Sequence, residues 1–196
     1  MSIRRIAIAA VALALFTAPA RAGVMINIEQ QGSDVVATGA GTLDLTDLTS
    51  VSGTNLAATA LGPSNGFIGM GSRSLAFLSG YQGITGPATF GSGARTNASQ
   101  GSGNQFAING SGNGFGGTPT LFVPQGYSGG QLSATDTYSN ATFVSLGLTP
   151  GTYTWTWGIG ATADSLTVQI GTAAVVPEPS TAIVAVFGAV AFVTYG

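Results

Sequence analysis

Through residues 23–174 most apolar side chains stand singly between Gly, Ser, Thr or Asn. That spacing suits the two-residue alternation of a strand and leaves no 3.6-residue stripe for a packed helix. Eight to ten short strands in about 150 residues favour one all-β, β-sandwich-like domain of short antiparallel strands. The stretch is long enough to enclose a core. It must do so without disulfides, because the chain has no cysteine.

Several runs read as strands. Val24 to Glu29 and Asp34 to Thr38 flank Gln31-Gly32-Ser33, which has hairpin-turn composition. Thr42 to Leu45 alternates as well, and Phe67-Ile68 and Leu75 to Leu78 are further short candidates. Residues 91–117, crowded with Gly, Ser and Asn, read as a flexible or edge loop. Thr120 to Val123 stops at Pro124, and Gln131 to Ser145 reads as one long strand or a bent pair. Leu148-Thr149-Pro150-Gly151 spells a turn that launches Thr152 to Trp157. Alternation there sets Tyr153, Trp155 and Trp157 on one face, and Leu166, Val168 and Ile170 on one face of the next strand. The two runs are expected to pair as a hairpin through Gly158 to Ala163.

Charge is scarce: 5 Arg or Lys and 7 Asp or Glu in 196 residues, with no histidine and no lysine. From residue 23 to 176, six carboxylates face Arg73 and Arg95, a net charge of −4 without a basic patch. Nucleic acid is therefore not an expected partner, since phosphate neutralisation takes clustered cations. Without histidine, lysine or cysteine the usual bases and nucleophile activators are missing, and the chain is expected to be no enzyme. Asp44 and Asp47 could serve as a carboxylate pair of a glycosidase or as calcium ligands, and Asp136 is an isolated acid. Each reads better as a solvated strand or turn residue. No catalytic residue, metal ligand or cofactor is expected. The stripe Tyr153, Trp155, Trp157 offers a carbohydrate-stacking platform, against the plainer alternative that these rings fill the core.

The two ends read as addresses. Arg4 and Arg5 precede the apolar run Ile6 to Phe16, and Ala20-Arg21-Ala22 has the small-x-small pattern of a signal-peptidase site. Residues 1–22 are thus a signal peptide, cut between Ala22 and Gly23. At the other end, within 175–196, Val175-Val176-Pro177-Glu178-Pro179-Ser180-Thr181 precedes the apolar run Ala182 to Val193. Two prolines two apart hold the backbone extended, and Ser180 or Thr181 then suits a helix cap.

This segment resembles a PEP-CTERM sorting signal. The resemblance implies an exported protein of a Gram-negative bacterium, held briefly in the inner membrane by its C-terminal transmembrane helix. An exosortase-type membrane enzyme would then act on it, with Pro177, Glu178 and Pro179 as the recognition tripeptide. It further implies a cell-surface or extracellular product associated with exopolysaccharide or biofilm matrix. The sequence departs from that pattern in one respect: Thr194-Tyr195-Gly196 lacks the basic cluster that holds the cytoplasmic side of such a helix. The 12-residue apolar run is also short, about 18 Å as a helix against a core of about 30 Å.

Overall fold

The alternation of residues 23–171 is realised as thirteen strands and two short 3-10 turns, with no α-helix among these residues, which are those the computed structural model describes. The expected signal peptide at 1–22 and the expected sorting tail at 175–196 lie outside the described residues. Gly23–Gln31 (β1) turns at Gly32 into Asp34–Thr42 (β2), followed by Thr49–Leu56 (β3), Ala60–Gly62 (β4), Phe67–Met70 (β5) and Ala76–Gln82 (β6). Then come Thr96–Asn97 (β7), Gln100–Gly103 (β8), Phe106–Asn109 (β9) and Thr120–Pro124 (β10). Leu132–Tyr138 (β11), Gly151–Trp157 (β12) and Asp164–Ile170 (β13) complete the set. One sheet has the order β12-β13-β1-β2-β11-β8, the other β3-β6-β10-β9-β5-β4-β7.

The expected hairpins at Gly32 and between β12 and β13 form, and Trp155 pairs with Leu166. Inward-facing residues of the first sheet, such as Ile26, Ile28, Trp155 and Val168, meet Ile68, Phe106, Ile108 and Leu121 of the second in one buried cluster. This is the β-sandwich-like core that the spacing of single apolar residues demands.

Four expectations are corrected. The strands are not all antiparallel: β1 runs parallel to β13, Val24 beside Leu166 and Ile28 beside Ile170. A parallel pair needs a long connection, and here the rest of the domain supplies it. The alternating Thr42 to Leu45 is no strand, because β2 ends at Thr42. Gly41, at φ +144, packs so closely on the Gly23 carbonyl that a Cβ there would lie 1.9 Å away. Beyond it the Leu43 N–H donates to the Tyr127 hydroxyl at 2.8 Å, and the Asp44 N–H to Asp164 Oδ2 at 2.6 Å. Side chains have replaced the ladder.

The supposed loop 91–117 contains β7, β8 and β9. All four residues of β9 are buried, because Phe106 and Ile108 supply core volume that outweighs their glycine-rich surroundings. The run 131–145 is a strand only as far as Tyr138, and Asn140 at φ +53 then turns the chain. Threonine-rich β3 and three-residue β4 carry too little apolar alternation to be read in advance.

Trp155 is fully buried and its indole Nε1–H donates to the Pro87 carbonyl at 3.0 Å. Trp155→Ala is expected to cost about 3–5 kcal/mol, the range for deleting a large core side chain. Urea denaturation followed by circular dichroism checks this, and a loss below about 1 kcal/mol would mean that the ring is not a core element.

Candidate functional site

The aromatic stripe of β12 does not form a platform. Trp155 is 0 % and Trp157 4 % exposed, and the Trp157 Nε1–H donates to the Asp44 carbonyl at 2.7 Å. Tyr153 is half-buried, its ring centroid 6.0 Å from that of Phe90. Of the two readings of Tyr153, Trp155 and Trp157, the core one holds: both indoles belong to the buried cluster and Tyr153 packs against it, and the stacking alternative falls away.

Asp44 and Asp47 are each held by a different threonine. Asp44 Oδ1 accepts from the N–H and hydroxyl of Thr46, which pulls its carboxyl below the usual range. Asp47 Oδ2 accepts from the Thr162 hydroxyl. No group of three or more acids that could hold a metal ion exists among the described residues.

Asp136, expected to be solvated, is fully buried. It lies on the inward side of β11, where Thr59 Oγ1 donates to Oδ1 at 2.7 Å and the Gly71 N–H donates to Oδ2 at 3.0 Å. Thr59 precedes β4 and Gly71 follows β5, so one carboxyl ties the two sheets together. Gly101 on β8 makes room for it: a Cβ there would sit 2.3 Å from Asp136 Oδ1. Burial raises its pKa to about 6, against the opposing pull of the two donors and of Arg73. Burial also raises the Asp164 carboxyl, although the Asp44 and Ser165 N–H groups donate to it. Two residues beyond Asp136, the buried Tyr138 hydroxyl has no hydrogen-bond partner among the described residues.

The outer face of the second sheet carries the concave site. Alternation along β10 sends Leu121 and Val123 into the main core and Phe122 outward; along β9 it sends Phe106 and Ile108 inward and Ala107 outward. Phe122, Ala107, Leu78 and Leu56 form a separate apolar cluster, flanked by half-buried Phe67 and Phe115. They floor a groove of about 200 Å³ with a polar rim that includes Thr54, Asn55, Asn65, Asn113 and Arg95. The Phe115 and Phe122 centroids are 4.8 Å apart with their planes 58° inclined. The Arg95 Cζ lies 4.4 Å from the centroid of the Phe67 ring. An apolar floor with a few convergent polar groups is the usual form of a small-ligand site.

Sequence reasoning missed this groove because its aromatics sit on separate strands and one loop. The available signal was weak: lone phenylalanines at 67, 115 and 122 in otherwise small-residue segments. A wider, shallower cleft of about 550 Å³ opens at one end of the sandwich beside Asp44, Tyr81 and Tyr127.

Between the unfolded carboxyl value near 4 and the folded value near 6, native Asp136 binds more protons than the unfolded chain. The stability that Asp136 contributes is therefore fully present near pH 4 and falls as pH rises through 6, with Asp164 adding in the same direction and the lowered Asp44 opposing only at the acid end. Urea midpoints measured from pH 4 to 7 should show this decline, and Asp136→Asn, which mimics the protonated acid, should flatten most of it. An unchanged slope in that variant would place the titrating group elsewhere. Tyr138→Phe should leave stability within about 0.5 kcal/mol or raise it, because it removes a buried donor that satisfies nothing. A loss above about 1.5 kcal/mol would reveal a bonded hydroxyl.

No family model matches this chain, and neither curated proteins nor solved structures give a significant match to it.

Proposed function

We propose that this chain is a non-enzymatic exported surface protein, delivered by its signal peptide and sorted through the Pro177-Glu178-Pro179 tail by an exosortase-type enzyme. The observation that carries the reading is the motif Val175 to Thr181 followed at once by an apolar run. It is supported at the other end by Arg4 and Arg5, the apolar run Ile6 to Phe16 and the Ala20-Arg21-Ala22 pattern, in the order of a signal peptide. On this reading the product of a Gram-negative cell passes through the inner membrane and ends at the surface or in the exopolysaccharide matrix.

The acids support the non-enzymatic part. Asp44, Asp47, Asp136 and Asp164 are each engaged by hydroxyl or backbone donors that position loops and sheets. Asp136 and Asp164 are moreover buried.

Replacing Pro177-Glu178-Pro179 by alanines is expected to hold the protein in the inner membrane. In the unaltered protein, mass spectrometry of the surface fraction should find a species that begins at Gly23 and ends near Pro177. Surface delivery that is indifferent to the substitution would overturn the sorting assignment.

A further inference from the structure

We infer that the groove on the outer face of the second sheet binds an acidic sugar, taking the six-membered ring of a hexuronate. The inference deepens the matrix association proposed above, but it rests on residues 23–171 and not on the tail.

Size and shape come first. A space of about 200 Å³ takes one ring-sized group, not a folded peptide. Its accessible aromatic surface is the half-exposed Phe115 ring, set at 58° against the buried Phe122 of the floor, with half-buried Phe67 also lining the space. The negative face of an aromatic ring attracts the weakly positive C–H edges that a pyranose presents on one side.

The rim then argues against a purely apolar guest. Thr54, Asn55, Asn65 and Asn113 line the groove. Each asparagine amide carries two donors and an acceptor. A ligand without hydroxyls would leave unpaired any of these groups that it covers, at a cost in affinity. A ring bearing several hydroxyls can pair with them instead.

Charge selects the acid. Arg95 is one of two cationic side chains in residues 23–171, which carry six carboxylates. The other, Arg73, donates from Nη1 to the Ser99 carbonyl at 2.5 Å. The domain as a whole therefore repels anions, and Arg95 supplies the local exception at the groove. Its guanidinium lies over the Phe67 ring at the edge of the groove, a cation–π contact. That leaves a planar fork of donors suited to a carboxylate.

Phe115 is set at the groove by a bonded turn: its own N–H and that of Gly117 both donate to the Gly112 carbonyl, at 2.8 and 3.1 Å. Gly114, Gly116 and Gly117 take the positive φ angles that this turn needs.

Isothermal titration of the full chain tests this, in a polyoxyethylene detergent whose headgroup contains no sugar. The probes are trigalacturonate, neutral galactotriose and benzoate. Trigalacturonate should bind at least about tenfold more tightly than either alternative, a difference of about 1.4 kcal/mol. Arg95→Gln should reduce the acid to the level of the neutral sugar. Phe115→Ala should weaken both sugars alike. Arg95 is exposed and Phe115 half-exposed, so an unchanged melting temperature is expected to show that the variants fold. Equal binding of acid and neutral sugar, tighter binding of benzoate, a preference that survives Arg95→Gln, or no binding of trigalacturonate would each overturn the assignment. Such a failure would leave the sorting proposal intact, and a tail variant that still reached the surface would leave this one intact.

Discussion

The pairing of β1 with β13 is the constraint on which the rest of the structure hangs. The first described strand is flanked by β2, its hairpin partner, and by the last strand, which arrives already paired to β12. Removing that parallel seam would split the first sheet into a β12-β13 hairpin and a β1-β2-β11-β8 remnant, and expose Ile26, Ile28, Leu166 and Val168 together. Because the seam joins residues more than 130 positions apart, it forms at a high entropic cost of loop closure. Nothing covalent assists it in a chain without cysteine. The apolar side chains along the seam must therefore offset that cost by burial alone. This explains why the cleanest hydrophobic alternation in the chain lies in its first and last strands.

A second constraint follows from the scarcity of charge. With few ion pairs available, the polar interior is held by single carboxyls that accept from neutral donors. Asp136 spans the two sheets and Asp164 anchors the segment that leaves β2. Both are buried acids whose neutral forms are favoured by their surroundings. Such a link is directional and specifies which loops meet, at the cost of desolvating a charge as pH rises. Glycine makes the arrangement possible at Gly101, where any side chain would occupy the space of the carboxyl itself.

What could be read from sequence was whatever depends on neighbours along the chain. Alternation at Trp155 and Trp157, and at Leu166, Val168 and Ile170, reports a buried face directly, so the last hairpin and the fold class were legible. The same alternation misled at Leu43 and Leu45, because Tyr127 and Asp164 capture the backbone donors there from 84 and 120 residues away. Composition misled at Phe106 to Asn109, where four residues inside a glycine-rich run become a central strand. It misled at Asp136 too, since an acid between two threonines gives no sign that Thr59 and Gly71 will enclose it. The groove was illegible for a related reason: its rings come from β5, β10 and the segment between β9 and β10, and only sheet order brings them together.

The parallel seam also fixes how the sites face one another. Gly23 enters beside the start of β13, whereas Ile170 leaves beside Ile28, so the two flanks depart from opposite ends of the first sheet. Thr42 pairs with Gly23, which puts the cleft at Asp44 and Tyr127 at the entry end, away from the C-terminal exit. A sorting tail that enters a bilayer would hold the exit end towards the membrane and turn that cleft outward. The groove of Phe67, Phe115 and Arg95 lies on neither end but on the broad flank of the second sheet. On the sorting reading, a flank site would not depend on which end of the domain is held towards the bilayer. Binding there would thus be independent of processing, and the same domain would present the same groove before and after release.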